Sequence, residues 1–240
     1  MAAYRHYRQL LAGCDVEIER MLKEFTDGAG PDTPALEPPK DRHKPRRNEM
    51  RFDLRGHLHR IFGVDLTAVP GVRAQTAYVL LSEVGRDLSA FPSAAAFASW
   101  MGLCPDNRVS GGKVLSSHTR RVKSRLARAL RLAALSLFRS QSWLGHYFRK
   151  MRAKLGAPKA ITAAAHKLAR ILFHLIHTRQ PYDESVFAAQ EIQNNQRIQQ
   201  RLHLQAKKYG YQIVEITAPG ECGPWDDFGV EVAVPETLTA

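Results

Sequence analysis

Between Asn107 and Tyr182 the sequence contains no Asp or Glu, yet those 76 residues carry 17 Lys and Arg. That local excess is larger than the net charge of +12 on the whole chain. Ordinary solvated surfaces intersperse both signs of charge. A folded segment with one sign only reads instead as a surface for a polyanion, because neutralising phosphates and releasing their counterions gives such charge a use.

The rest of the composition sets bounds. At 240 residues, 44% hydrophobic and 24% charged, the chain has room for one sizeable core or two modest ones. Cys14, Cys104 and Cys222 are far apart, odd in number and without CxxC spacing, so neither a disulfide framework nor a zinc site is indicated, and a reducing cytoplasm fits best. The N-terminus MAAYRHYRQLL lacks the uncharged core of a signal peptide. The most apolar run, Ile171 to Ile176, is interrupted by His174 and is far too short to span a bilayer, so no membrane role is expected.

Helical periodicity dominates the chain. Tyr4, Tyr7, Leu11, Cys14, Ile18, Met21 and Phe25 follow alternating spacings of three and four, which places them on one helical seam over residues 1–27. That seam serves either an amphipathic helix packed on its own domain or a coiled coil that forms a homo-oligomer. Residues 28–48 (GAGPDTPALEPPKDRHKPRRN) are Pro-rich and read as a linker or loop. A second helical pattern starts near Asn48 and returns through Phe52, Leu58 and Phe62. Residues 49–182 form the basic domain, with Ser93 as a helix N-cap and a long helix expected from Ser117 to Phe138. On that helix Arg121, Arg125, Arg128 and Arg131 share one face, and Leu126, Leu130, Ala133 and Leu137 the other. Further helices are expected over 158–177 and 185–208, followed by a short apolar alternation at 211–216 and a flexible tail over 217–240. The fold class is mainly α.

Two motifs could carry chemistry. Leu66 to Gly85 has the form of a helix-hairpin-helix, in which the Pro70-Gly71 turn leaves N–H groups of the second helix free for a phosphate oxygen around Gly71, Val72 and Arg73. A helix-helix corner used only for packing fits the same residues. Arg108-Val-Ser-Gly-Gly-Lys113 places Gly111 and Gly112 where the backbone can approach a ligand closely, with Arg108 and Lys113 supplying charge on either side. It is not a P-loop, since Val114 follows the lysine. Ser110 could attack a phosphorus, but an alcohol needs activation, so His118, Lys113 or a group from elsewhere must help; a non-catalytic phosphate-binding turn is the other reading.

His166, His174 and His177 sit on an apolar helix and are assigned no metal, and the carboxylates of residues 15–27 belong to a solvated helix face. No metal site is expected in this chain.

Phe52-Asp-Leu-Arg55, Gly63-Val-Asp-Leu-Thr-Ala-Val-Pro-Gly-Val72, Leu81-Ser-Glu-Val-Gly85 and Phe91-Pro-Ser93 follow one another along the chain. Trp100-Met-Gly-Leu-Cys-Pro105, Val109-Ser-Gly-Gly-Lys113 and Ala157-Pro-Lys-Ala-Ile-Thr-Ala-Ala-Ala-His-Lys-Leu-Ala169 come after them. Together these segments resemble the C-terminal transposase domain of DEDD-type insertion-sequence transposases, the bridge-RNA-guided recombinases. The likeness runs over roughly residues 49–180 and extends more loosely to about residue 216. It implies a helical transposase domain with a helix-hairpin-helix-like element behind a coiled-coil helix, and a role in DNA transposition and recombination.

By motif position the family's DNA-attacking serine corresponds to Ser110. The resemblance implies that DNA is the partner and that a guide (bridge) RNA chooses the sequence, in a bacterial cytoplasm at the nucleoid. Relatives carry a RuvC-like domain with acidic metal ligands ahead of the coiled coil. This chain begins almost directly in the coiled-coil helix and shows no such constellation, so Mg2+ is expected only in a complementing RuvC-like domain. A truncated, non-catalytic DNA- or RNA-binding module is the alternative. The expected DNA contacts are Gly71, Val72, Arg73, Arg108, Gly111, Gly112, Lys113, Arg120, Arg121, Lys123, Arg125 and Arg128, with Ser110 as nucleophile.

Overall fold

A computed structural model describes residues 1–30, 33–38 and 49–213. Two compact units are present, Met1–Ala189 and Gln190 onward. The chain is mainly helical: α1 (Ala2–Glu24), α2 (Leu54–Phe62), a 3-10 turn (Leu66–Ala68), α3 (Ala74–Val84) and α4 (Ala94–Trp100) come first. A two-stranded ribbon, β1 (Arg108–Ser110) and β2 (Lys113–Ser116), follows. The remaining elements are α5 (Arg125–Ser136), a 3-10 turn (Leu137–Arg139), α6 (Trp143–Leu155), α7 (Ala157–Thr178) and α8 (Ser185–Lys208).

The first unit is organised around α7. Its alanines at 160, 164, 165 and 169 let neighbours approach closely, and Leu168, Leu172 and Leu175 fill the space between them, all buried. Helices α4, α5 and α6 pack against it. Each fully buried leucine contributes roughly 1.5–3 kcal/mol. The surrounding helices start where their N-caps dictate: the Ser93, Ser124 and Ser142 hydroxyls accept the N–H groups of Ala96, Ala127 and Gly145.

Helix α1 is used unevenly. Leu22 is buried and Ile18 packs against the core, whereas Tyr4, Tyr7, Leu11 and Met21 of the same seam are exposed. Its C-terminal turns are tied to α2 by Arg60, which donates to the carbonyls of Leu22 and Phe25 and pairs with Asp27. The start of the Pro-rich segment also lies on α2: the Gly28 and Ala29 N–H groups donate to Arg60 O, and a Cβ on Gly28 would meet Ile61 O at 2.0 Å. Residues 31, 32 and 39–48 of the expected linker lie outside the described residues, as do 214–216 of the apolar alternation and the whole of the tail.

Two expectations about helix boundaries are corrected. The second helical pattern begins at Leu54 rather than near Asn48, because Asp53 accepts Gly56 N–H and sets the N-cap there. The helix expected from Ser117 begins at Arg125, because Lys113–Ser116 are in a β-ladder and Ser124 forms the cap. The next free N–H, that of Leu126, is taken by the Glu83 carboxylate at 2.6 Å. Arg121 is therefore not on the arginine helix. The buried face is as expected, with Leu126, Leu130, Ala133 and Leu137 all inside.

Candidate nucleic-acid interface

Gly111 and Gly112 form the two-residue loop of a β-hairpin. Their φ values of 55° and 75° suit a loop of the primed type I, which needs positive φ at both positions. Nothing lies within 4 Å of a Cβ built on either, so the need for glycine here is conformational rather than steric. Ser110 and Lys113 flank the loop and are directly paired across it. Their Cβ atoms are then about 5 Å apart, within reach of the lysine ammonium. All three residues of β1 are exposed, so the hydroxyl of Ser110 is presented to solvent at the ribbon tip.

The ribbon carries a β-bulge. Val109 pairs with Val114 and Arg108 with Ser116, which leaves Leu115 as the extra residue. Arg108, Ser110, Lys113 and Ser116 consequently share one face. The base of the ribbon is fastened by a bridge between Pro105 and Thr119 and by the Asp106 N–H donating to His118 O at 2.9 Å. Gly102, at φ 64°, sits under this base; a Cβ there would come within 2.7 Å of Arg120 O. Arg120 in turn donates to Ser99 O at the end of α4.

An open cleft of about 610 Å³ lies beside the ribbon base. Arg108 and Ser116 line it from the strands, and Asp106, His118, Thr119, Arg120 and Arg121 from the flanking segments. Among the described residues, three arginines and one carboxylate thus line the cleft.

The expected contacts do not gather in one place. Arg108, Arg120 and Arg121 meet in the cleft, and Ser110, Gly111, Gly112 and Lys113 make the ribbon tip. Lys123, Arg125 and Arg128 are exposed just beyond, at the start of α5. Gly71, Val72 and Arg73 belong to the other end of that helix: a Cβ on Gly71 would lie 2.8 Å from Ala133 O, and Val72 is buried. Eight residues of helix separate Arg125 from Ala133, a rise of about 12 Å. Of the three turn residues only Arg73 offers an exposed side chain, and the helical element ahead of the turn is the three-residue Leu66–Ala68.

Sequence reading missed Asp106, Ser116 and Thr119 in the cleft and Glu83 at the start of α5. A signal for the ribbon was present, since Gly-Gly between Val-Ser and Lys-Val is a two-residue hairpin pattern.

Elsewhere, Lys167 lies over the Trp143 and Phe187 rings at 5.3 and 5.0 Å. Burial, with Arg170 close by, holds its ammonium below the usual lysine range and lowers the neighbouring His166 as well. His177 stacks on Phe173. Among the described residues no group of three or more His, Cys, Asp or Glu side chains gathers into a metal site, and no helix is long and apolar enough to cross a membrane.

Comparison with known proteins places the ribbon and cleft in a recognisable segment. Residues 65–149 match the Transposase IS116/IS110/IS902 family. The chain is 35% identical over 132 residues to an uncharacterised 43.6 kDa protein of insertion element IS110 from Streptomyces coelicolor, a match over 53% of this chain and 32% of that protein. It is 33% identical over 135 residues to the putative transposase y4pF/y4sB of Sinorhizobium fredii, over 52% of this chain and 34% of the relative. The matches span about a third of the length of these curated relatives. The family segment runs from Asp65, ahead of the Pro-Gly turn, into α6, so it holds the turn, the whole ribbon, the cleft and α5.

Proposed function

We propose that the chain acts in DNA transposition and recombination, gripping DNA backbone with its basic half and attacking a DNA phosphorus with Ser110. The observation that carries this reading is the ribbon tip. There an exposed serine hydroxyl stands opposite Lys113, beside a cleft lined by three arginines, within the segment that matches a transposase family. In the step itself the Ser110 Oγ–P bond forms as the P–O bond to the leaving deoxyribose breaks. The serine proton passes to a base, and the departing oxygen takes up a proton. Lys113 and the nearby arginines stabilise the charge that develops on the phosphoryl oxygens.

Neither strand of the ribbon carries a carboxylate, and the described residues do not fit the Mg2+ that the resemblance implies, so no step is routed through it. We assign the carboxylates and metal to a complementing RuvC-like domain, the choice of sequence to a guide RNA, and self-association to the exposed N-terminal half of the α1 seam. A non-catalytic DNA- or RNA-binding module is the second reading, favoured by the lack of a carboxylate on the ribbon to activate Ser110.

One assay separates the two readings. With a RuvC-like partner and guide RNA supplied, the intact chain should give a protein-DNA species that survives denaturation and maps to Ser110. Ser110→Ala should abolish that species while sparing DNA affinity. Cleavage that persists in Ser110→Ala, or an adduct mapping to Ser116 or Ser117, would refute the assignment.

A further inference from the structure

We propose that the cleft at the ribbon base seats a single backbone phosphate, gripped jointly by Arg108, Arg120 and Arg121, and that this seat fixes the register of the strand offered to Ser110. Only the last clause rests on the nucleophile reading; the seat stands on its own geometry.

Arg108 comes from β1, and Arg120 and Arg121 from the segment after β2. The Pro105–Thr119 bridge and the Asp106–His118 hydrogen bond bring the two together. Arg120 is held by its bond to Ser99 O and keeps further N–H donors. Among the described residues, Arg108 and Arg121 make no ion pair or side-chain hydrogen bond. Among the described residues the lining holds three guanidinium groups and one carboxylate, a positive balance that suits one phosphodiester. Arg125 and Arg128, by contrast, are exposed on a helix face and do not line this cleft.

The seat and the serine share a surface. Arg108 and Ser110 are two residues apart on the same face of β1, about 7 Å along the strand, a separation on the order of that between neighbouring phosphates. The bulge at Leu115 brings Ser116 opposite Arg108 on that face. A strand held in the cleft would then offer Ser110 one phosphorus rather than a sliding series of them, and restricting the approach in this way favours reaction at the held position. Arg108 and Arg121 are positioning residues in this scheme.

The test uses the full chain and a duplex oligonucleotide, with affinity measured across a salt series. Each bound phosphate contributes about −0.9 to the log-log slope. Arg108→Ala and Arg121→Ala should each flatten the slope by about 0.9, and the double variant by the same 0.9, because both side chains share one phosphate. Asp106→Asn, which removes the one carboxylate among the described lining residues, should tighten binding. Arg108→Lys with Arg121→Lys should keep the slope yet lower affinity, since an ammonium cannot make the bidentate contact; this control separates a phosphate grip from a role in folding. Slope changes that add in the double variant, or weaker binding in Asp106→Asn, would overturn the shared seat. Ser110→Ala should leave every slope unchanged, so cleavage persisting in that variant would remove the nucleophile and leave the seat standing.

Discussion

Arginine does two different jobs in the two parts of this molecule. Ahead of residue 65 four cations are paired: Arg20 with Glu17 and Glu24, Lys23 with Glu19, Arg60 with Asp27 and Arg55 with Asp65. Arg55 also donates to Thr67 Oγ1 and to Glu37 O, and Arg60 to two carbonyls of the α1 C-terminal region, so both act as cross-links between segments. From Asn107 to Tyr182 none of the ion pairs found among the described residues occurs. Among the arginines there, Arg120 and Arg149 brace a backbone carbonyl, Arg152 lies over the Phe138 ring, and Arg121, Arg125 and Arg128 stand exposed without a side-chain partner. The part-buried Arg55 and Arg60 hold segments together, and the unpaired Arg121, Arg125 and Arg128 are left for a ligand.

Removing cations from the two regions should therefore have opposite consequences. Replacing Arg121, Arg125 and Arg128 together with Ala should weaken DNA binding on the order of 100-fold at low salt, for all sequences alike, with thermal stability unchanged. A large change in base preference instead would mean that these side chains read bases. Arg55→Ala should do the reverse. Loss of a part-buried cation with three acceptors should destabilise the fold by about 2–3 kcal/mol in denaturant unfolding, with DNA affinity unaltered in the folded protein. If Arg55→Ala weakened binding as much as the triple variant, the division between the regions would collapse.

Glu83 sharpens the comparison from the carboxylate side. It accepts the Leu126 N–H at the start of α5, so Glu83→Gln should cost about 1 kcal/mol of stability while slightly strengthening DNA binding, read by melting and by anisotropy. A smaller effect concerns Asp65. Burial pushes its carboxyl up, but hydrogen bonds from Arg55 and Thr67 outweigh this and hold it below the usual aspartate range. A group lowered in the folded state adds stability that is full above its unfolded pKa and is lost as pH falls through the folded value. Asp65→Asn should accordingly flatten the stability profile below about pH 4. An unchanged acid limb would show that the Arg55–Asp65 pair does not contribute to it.

Much of this was readable from residue order. Periodicity placed the buried face of α5 at Leu126, Leu130, Ala133 and Leu137, and the helix from Ser185 to Lys208 was expected with the bounds observed. The start of α5 was not readable, because apolar and basic spacing continues smoothly from Ser117 and nothing local announces that Glu83, 43 residues upstream, will occupy the Leu126 N–H. The cleft was hidden for a similar reason. Arg108 and Arg121 are 13 positions apart, and it is the strand pairing, the Pro105–Thr119 bridge and the Asp106–His118 hydrogen bond that join them. The Pro70-Gly71 turn was seen as a turn, but its packing on the far end of α5 is a tertiary contact that no local pattern encodes.

The most direct test of the division is the salt dependence of duplex binding by the whole chain. If the carboxylate-free region neutralises about six phosphates, the log-log slope of affinity against salt should be on the order of −5. A slope near zero would contradict the account, because the unpaired cations between Asn107 and Tyr182 would then have no nucleic-acid role.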